Sequence, residues 1–227
     1  MKKIWRRSFL DTVPVMTGYL VLGFGFGIIL HTYGFGVLFA FLMSLTIYAG
    51  SMQYVAIGLM TGGASLLTTA LTTLMVNARH LFYGISMLEK YKDVGRRKAY
   101  LIFALTDETY SLVCSDRPDM GEEQKRNYYL LVSLWNHLYW ITGSVLGAAA
   151  GAVLPFNSEG MDFALTALFV TVFVDQWLST KKHGPAIIGV AVSVVCLMIF
   201  GADSFLIPTM LVIALLLSVY KGGRGDE

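Results

Sequence analysis

Charged residues are scarce in this chain of 227 residues, where they make up 14% against 56% hydrophobic residues. An average soluble domain carries about a quarter charged residues. The mean hydropathy of +0.63 is also higher than that of a soluble domain. The composition therefore excludes an ordinary soluble domain and indicates a membrane protein surrounded by a lipid bilayer.

Other absences narrow the function. The two cysteines, Cys114 and Cys196, lie in apolar surroundings without the spacing of metal ligands, so neither a disulfide framework nor a zinc site is expected. The chain lacks the glycine-rich phosphate loop of ATPases and the dinucleotide-binding fingerprint. Its longest hydrophilic loop, 115–127, is too short for a soluble catalytic domain. We expect no enzyme, no cofactor or metal and no nucleic-acid partner, while the net charge of +2 says little about partners because the basic residues orient the chain in the membrane.

Apolar stretches of membrane-crossing length run through the chain, and a crossing needs about 20 apolar residues. The stretches are 13–30, 36–60, 66–88, 128–154, 163–178 and 204–220. They predict an all-α membrane helix bundle of six to eight transmembrane segments, forming a single integral membrane domain over residues 1–227.

The loop charges predict an unusual topology. Basic residues cluster at 2–7, 90–98, 117–126, 181–182 and 221–224, whereas the connections at 31–35, 61–65, 155–162 and 201–204 have none. The positive-inside rule places all the basic clusters in the cytoplasm. Segment 36–60 must then enter and leave on the outer side, and 99–114 on the inner side. We therefore expect six crossings with two discontinuous or partial segments, and eight ordinary crossings is the alternative.

Local sequence agrees with interrupted helices. Residues 48–51 combine a glycine with a small hydroxyl residue, and 101–110 is too short and too polar for a lipid-exposed span. Glycines at every fourth position in 23–27 and 143–151 predict closely packed helices. A weak likeness between 39–42 and 163–166, each following a glycine-rich span, suggests duplicated halves, although apolar segments also align by chance.

Two other features predict local structure. Asp11, Thr12 and Pro14 are typical of a helix start, with proline in the first turn. Trp135, Tyr139 and Trp140 are typical of the aromatic belt at a membrane surface.

Arg79 is the one lysine or arginine of seventeen that lies inside a long apolar segment. A charge within the bilayer is costly and usually has a partner and a function. Arg79 could hold a carboxylate by a forked hydrogen bond. Further donors would come from neighbouring polar residues and from a helix break, namely Gly50, Ser51, Gln53, Asn77 and His80. Alternatively, Arg79 satisfies carbonyl groups at a helix break while His80 fills a polar core.

Asp107 and Glu108 are adjacent acids in a second polar segment. On a helix they point about 100° apart, so at most one faces Arg79. Such a carboxylate could hold an ammonium group or carry protons. The alternative is a plain ion pair with Arg79.

Three motifs now indicate a family. They are Tyr-Ala-Gly-Ser-Met-Gln-Tyr at 48–54, Asn-Ala-Arg-His-Leu-Phe-Tyr-Gly at 77–84 and Thr-Asp-Glu-Thr-Tyr at 106–110. Their order and spacing resemble the AzlC family, the large subunit of branched-chain amino acid exporters. Residues 11–14 and the glycine-rich first span fit as well, so the likeness covers nearly the whole chain.

The resemblance implies a multi-pass protein of the bacterial plasma (inner) membrane that exports hydrophobic amino acids. It also implies coupling to an ion gradient and a small hydrophobic AzlD-type partner subunit. A zwitterionic substrate needs a cation or N–H groups for its carboxylate and an acid or carbonyl groups for its amine. The candidate substrate-binding residues offer both: Gly50, Ser51, Gln53, Asn77, Arg79, His80, Asp107 and Glu108. The alternative is a noncatalytic scaffold subunit with a structural ion pair.

Overall fold

The computed structural model describes residues 2–114, 117–153 and 183–201, with the shorter pieces 170, 173–174, 177–178, 205, 208–209, 211–213 and 215–217. Of residues 2, 79, 81 and 82 it describes the backbone alone. The chain divides into two compact units, 1–161 and 162–227. Whether the chain forms the single domain expected from its sequence stays a prediction.

The described part of the chain holds helices and no strand, which confirms the all-α prediction. The helices of the first unit are α1 (Lys2–Thr32), α2 (Val37–Thr46), α3 (Gly50–Thr61), α4 (Leu66–Val76), α5 (Ala78–Ser86), α6 (Lys98–Phe103), α7 (Asp107–Val113) and α8 (Glu122–Val153), with a 3-10 turn at Gly95–Arg97.

Helices α1 and α8 lie side by side and run in the same direction. Near one end the Tyr128 hydroxyl of α8 donates to the Asp11 carboxylate of α1 at 2.7 Å, and near the other end Gly151 adjoins the His31 side chain. At 1.5 Å per residue these helices are 46 to 48 Å long, roughly the thickness of a bilayer with its headgroups. They form the frame on which the shorter helices pack.

The two long helices touch backbone to backbone along a glycine seam, formed by Gly23, Gly27, Gly143 and Gly147. A Cβ atom on Gly27 would lie 2.1 Å from the Ser144 carbonyl oxygen, and one on Gly147 would lie 2.0 Å from the Phe24 carbonyl oxygen. No side chain fits at such distances, so glycine is required there.

The first hairpin consists of α2, residues 47–49 and α3. It starts near the end of α1, where the Phe35 amide donates to the Leu30 carbonyl oxygen at 3.2 Å. At the far end of α2, the Ser44 carbonyl oxygen lies 3.1 Å from the His137 ring nitrogen Nε2. The Tyr48 ring then packs against the His137 ring with centroids 4.2 Å apart. Helix α2 thus descends from the end of the long helices to their middle.

Helix α3 turns back toward the end from which α2 came. Gln53 meets Trp140, which lies one turn beyond His137 on α8. The next residue, Tyr54, donates to the Leu22 carbonyl oxygen on α1 at 2.6 Å. A continuous crossing would carry α3 the other way along α8. The contacts therefore show that 36–60 forms a hairpin, and its entry and exit on the outer side of the membrane stay a prediction.

The second hairpin consists of α6, residues 104–106 and α7, and it enters from the opposite end. Arg97, just before α6, donates to Asn127 at 2.7 Å, and the Tyr100 hydroxyl reaches His137 at 3.1 Å. Beyond the turn, α7 descends again.

Helix α7 runs back along α8 and ends close to the point where α6 begins. Asn136 donates to Thr109 at 3.0 Å in the middle of α8, and Arg117, just after α7, donates to the Tyr128 hydroxyl at 2.8 Å near the start of α8. The segment 99–114 thus follows the predicted path as well. The total number of crossings stays a prediction.

Three basic clusters meet at the end where α1 and α8 begin, which we call the basic end. Arg7 forms an ion pair with Asp119, and Arg126 donates to the Asp93 carbonyl oxygen at 3.0 Å. Beneath them lies a buried cluster: Ile4, Met87, Tyr91, Val94, Leu101, Leu105, Val113, Met120, Tyr128, Tyr129 and Val132. The shared end agrees with the predicted sidedness. Clusters 181–182 and 221–224 lie outside the described residues.

Helix α1 differs from its prediction, because it begins at Lys2 and contains Pro14 in its interior. The Thr12 hydroxyl donates to the Phe9 carbonyl oxygen at 2.9 Å instead of capping a helix start. Among the described helices, α1 is the one that meets length and composition criteria for a membrane span, over Lys3–Thr32. The helix breaks divide the apolar stretches 36–60 and 66–88 into helices of 9 to 12 residues.

The described part of the second unit is centred on α9 (Gly184–Phe200). Pro185 lies in its first turn, a position where the missing amide hydrogen costs nothing. The His183 ring stacks on Trp177 with centroids 4.1 Å apart. The suggested repeat at 163–166 falls outside the described residues.

Candidate functional site

The tips of the two hairpins meet near the middle of the long helices. The ring centroids of Tyr48 on the first tip and Phe103 on the second are 6.2 Å apart, and both rings pack around His137. Tyr19 of α1 approaches Tyr48 from the other side, with centroids 6.5 Å apart. The fold therefore brings two chain reversals, each with helix termini, to one place.

The first tip carries an uncapped helix N-terminus. Ala49 occupies the N-cap of α3 and no side chain caps it, while Gly50 and Ser51 form the first turn. The first amide groups of a helix lack partners within the helix and attract anions. Tyr48 has a φ of +44°, the left-handed region that disfavours a bulky residue. Such backbone strain is typical of functional sites.

Gln53 is fully buried one turn into α3. Its side-chain oxygen accepts from the Trp140 indole nitrogen at 2.8 Å, and its amide nitrogen donates to the Ser44 hydroxyl at 3.3 Å. The predicted site residue Gln53 thus fixes the first hairpin against α8.

The second tip carries a polar network. The Tyr19 hydroxyl lies 2.6 Å from the Glu108 carboxylate and 2.7 Å from the Thr106 hydroxyl. Thr106 caps α7 by accepting from the Thr109 amide at 3.2 Å and also donates to the Thr109 hydroxyl at 3.1 Å. Asn136 completes the network by donating to Thr109. The predicted residue Glu108 is therefore held toward α1.

Asp107 is half-buried and opens α7 beside Glu108. Because neighbouring helical residues point about 100° apart, Asp107 and Glu108 face different surroundings. The expectation that at most one of them faces Arg79 stays a prediction, because the Arg79 side chain lies outside the described residues.

A third break separates α4 from α5 at Asn77, beside Arg79, where one of the two readings of the sequence placed a helix break. The Asn77 carbonyl oxygen accepts from the His80 amide at 2.9 Å and lies 3.2 Å from the His80 ring nitrogen. Arg79 lies in the first turn of α5, and its side chain is outside the described residues. One turn later, Tyr83 stacks on Tyr110 of α7 with centroids 4.7 Å apart. The start of α5 therefore lies at the level of the start of α7.

Several functional candidates were missed by the sequence analysis. They are Tyr19, Tyr48, Thr106, Thr109, Asn136, His137 and Trp140, all of them buried. The aromatic-belt interpretation is wrong for Tyr139 and Trp140, which are 7% and 4% exposed. Asn136 and Trp140 are four residues apart and share a helix face, a spacing that could have indicated an inward polar surface.

The fold and the site define a class, a helical protein in which two hairpins of short helices meet at their tips beside a pair of long helices. Sequence comparison then gives the family. The sequence model of the AzlC protein family matches residues 14–154, more than half of the chain. The chain belongs to the AzlC family, a transport family, which confirms the predicted membership and the expectation of a protein that is not an enzyme.

Individual relatives agree. The chain is 42% identical to the branched-chain amino acid transport protein AzlC of Bacillus subtilis, over 96% of this chain and 87% of that protein. It is also 42% identical to an uncharacterized membrane protein of Haemophilus influenzae, over 94% and 88%. Identity to the inner membrane protein YgaZ of Escherichia coli is 29%, over 71% and 68%. These relatives place the chain in a membrane. No solved structure matches it.

Proposed function

We propose that this chain is a secondary transporter that exports branched-chain or other hydrophobic amino acids, the class of valine, leucine, isoleucine and methionine. The observation that carries the proposal is the meeting of two hairpin tips at mid-length, with the uncapped N-terminus of α3 at one of them. Transporters commonly bind substrates at interrupted helices near the bilayer midplane. The substrate named for the Bacillus subtilis relative supports the class.

The substrate carboxylate fits the first tip. The first turn of α3, with Gly50 and Ser51, presents the positive end of a helix dipole, which favours negative charge. Gln53 and Arg79 would supply further hydrogen bonds, and Asn77 and His80 shape the break beside Arg79. An arginine holds a carboxylate through two parallel hydrogen bonds.

The substrate amine fits the second tip. Asp107 or Glu108, the adjacent acids in the first turn of α7, would hold it. For the aliphatic side chain, the buried Met43 and Met52 flank the first tip, and methionine adapts to apolar groups of different shape. This adaptability suits a group of related substrates.

The remaining features concern the working cycle. We infer a multi-pass protein of the bacterial plasma (inner) membrane that alternates access to its site, driven by an ion gradient and assisted by a small AzlD-type membrane subunit. Hairpins that reach the middle from opposite ends offer two gates, since moving either tip opens the site toward one side.

The test is counterflow of labelled leucine in proteoliposomes, with the chain alone and with the small subunit. Wild type should exchange leucine saturably. Arg79→Ala should lose at least about tenfold in rate, the effect of removing one charge-assisted hydrogen bond or more. Arg96→Ala is the matched control, because Arg96 is exposed at the basic end and should leave exchange unchanged.

Two outcomes would contradict the proposal. Normal exchange in correctly inserted Arg79→Ala would remove Arg79 from the site. No exchange by folded wild type, with several hydrophobic amino acids and both subunits present, would favour the scaffold alternative. In that case, neutralising Arg79 and Asp107 together should be better tolerated than neutralising either alone.

A further inference from the structure

Asn136 is a fully buried polar residue in the middle of α8, and only half of its side-chain amide is paired. Its nitrogen Nδ2 donates to the Thr109 hydroxyl at 3.0 Å, whereas its oxygen Oδ1 has no hydrogen-bond partner among the described residues. An acceptor that is removed from water without a donor destabilises the protein. The unpaired oxygen therefore needs an explanation, and a ligand that donates to it would supply one.

The surroundings of Asn136 belong to both hairpins. Trp140 lies one turn further along the same face of α8, and its indole nitrogen donates to Gln53 of the first hairpin at 2.8 Å. Thr109, which accepts from Asn136, belongs to the second hairpin. The Trp140 ring also packs against Tyr19 of α1, with centroids 5.6 Å apart. The face of α8 that carries Asn136 is thus turned toward the place where the tips meet.

The bond to Thr109 also brings Asn136 close to the candidate acids. Thr109 lies in the same first turn of α7 as Asp107 and Glu108. The Tyr19 hydroxyl donates to the Glu108 carboxylate at 2.6 Å and so holds this acid toward α1. The second tip therefore places a neutral acceptor from α8 beside carboxylate acceptors from α7.

This set of acceptors matches the chemistry of an ammonium group. An ammonium has three N–H donors and no acceptor. Away from water, the two oxygens of one carboxylate leave at least one of these donors unpaired, and an amide oxygen can accept from it. A second acid in place of the amide would add a buried charge that a zwitterionic substrate does not balance.

We propose that Asn136 binds the ammonium group of the transported amino acid through its side-chain oxygen. The inference rests on the proposed function and adds a specificity-determining residue to it. The bond to Thr109 holds the amide in place, and Oδ1 accepts one hydrogen of the ammonium. An acid with the same carbon skeleton but no amino group leaves Oδ1 unpaired and is rejected for that reason.

The Ser133 hydroxyl on α8 is also fully buried without a partner among the described residues. It lies one turn closer to the basic end, next to Val132 of the buried cluster there. A hydroxyl can rotate toward a carbonyl group of its own helix, whereas the planar amide of Asn136 is fixed by its bond to Thr109. Ser133 is therefore the matched control and Asn136 the candidate ligand.

The experiment compares leucine with 4-methylpentanoate, which has the same carbon skeleton and carboxylate but no amino group. Each compound competes with labelled leucine in proteoliposome counterflow, and the concentration that halves the counterflow is measured. Wild type should prefer leucine. Asn136→Leu should need about tenfold more leucine, as expected for loss of one hydrogen bond to a charged group, while the concentration of 4-methylpentanoate should stay unchanged.

Two further variants separate the oxygen of the amide from its nitrogen and from its burial. Asn136→Asp keeps an acceptor but loses the N–H group that donates to Thr109, so it should retain the preference for leucine. Ser133→Ala removes a buried hydroxyl from the same helix and should change neither concentration. A loss of preference in Ser133→Ala as large as in Asn136→Leu would overturn the inference.

The remaining outcomes separate this inference from the proposed function. Wild type without counterflow of any hydrophobic amino acid would refute the transporter itself. Equal inhibition of wild type by leucine and 4-methylpentanoate would refute recognition of the ammonium and leave the transporter intact.

Two results in the variants would also overturn the inference. A loss of preference in Asn136→Asp equal to that in Asn136→Leu would mean that the bond to Thr109 matters and the oxygen does not. An equal rise of both concentrations in Asn136→Leu would mean a general distortion of the site. If Asn136→Leu does not insert, wild type and Asn136→Asp still decide, because a missing preference for leucine in either one refutes the role of the oxygen.

Discussion

The glycine seam and the hairpin tips are built in opposite ways. At the seam, Gly27 and Gly147 bring two long helices into backbone contact, with no room for a methyl group. At the tips, short helices end in the interior, and Tyr48 adopts a strained left-handed conformation beside polar side chains. The seam has one close-packed arrangement, whereas the tips are held by hydrogen bonds that can be exchanged.

This difference indicates a division of labour. Close-packed helices do not deform continuously, so the α1–α8 pair serves as a fixed frame. Tips joined by single hydroxyl groups can detach at a cost of about 1 kcal/mol per bond. We therefore expect the α1–α8 frame to provide stability and the hairpin tips to perform transport. Changes at the seam should affect folding, and changes at the tips should affect transport.

The largest effect is expected at the seam. Gly147→Ala places a methyl group against the Phe24 backbone, which cannot move without separating α1 from α8. We expect the free energy of unfolding to fall by about 3 kcal/mol, the upper range for overpacking. Thermal unfolding of the purified protein in detergent measures it.

The control for the seam lies on the same frame. A Cβ atom on Gly18 meets nothing within 4 Å, so Gly18→Ala should change stability by at most about 0.5 kcal/mol. If Gly147→Ala were as stable as Gly18→Ala, the backbone contact between α1 and α8 would be disproved, and with it the fixed frame.

The next largest loss of stability is expected where the first hairpin tip is hydrogen-bonded to α8. Gln53→Leu leaves the buried Trp140 indole nitrogen without its acceptor and should cost about 2 kcal/mol. Adding Trp140→Phe should recover part of this loss, because both polar partners are then gone. Thermal unfolding of the two single variants and the double variant measures the coupling. Strictly additive losses would contradict a direct bond.

A smaller effect should separate stability from transport. The Tyr48 and Tyr91 hydroxyls are both buried without a hydrogen-bond partner among the described residues. Replacing either by phenylalanine should stabilise the protein by about 1 kcal/mol, because an unsatisfied polar group is removed. Tyr48→Phe should in addition slow leucine counterflow, whereas Tyr91→Phe at the basic end should not. Equal counterflow in both variants would exclude the Tyr48 hydroxyl from the site.

The hairpins could be predicted because their signals are local. Basic loops assign sides to the chain, and residues 48–51 offer a break where one is needed. Gln53, Asp107 and Glu108 were likewise found as polar residues in apolar surroundings. Their roles as substrate ligands stay predictions.

The partners of these residues could not be predicted, because they depend on packing. Tyr19 meets Glu108 across 89 positions of sequence, and it does so only when the second hairpin packs against α1. Pro14 resembled a helix start, yet a transmembrane-length helix tolerates an interior proline when neighbouring groups satisfy the freed carbonyl. Tertiary contacts therefore determine both the pairing of Tyr19 with Glu108 and the interior position of Pro14.

The smallest effect is expected where neither the seam nor the tips are involved. The Arg7 guanidinium donates a hydrogen bond to the exposed Asp119 carboxylate and lowers the pKa of that carboxyl. A lowered carboxyl pKa stabilises the fold above the unfolded value, near 4, and the stabilisation is lost as the pH falls through the folded value. Asp119→Asn should thus unfold slightly earlier than wild type at pH 7.

This difference should vanish on acidification and in high salt, since exposed ion pairs are screened. Leucine counterflow should not change at all, because the pair touches neither the frame contact nor the tips. Thermal unfolding of wild type and Asp119→Asn, followed from pH 7 to pH 3, tests the sign. A difference that grew toward acid would contradict the lowered pKa, and a loss of counterflow would place a functional contact at the basic end.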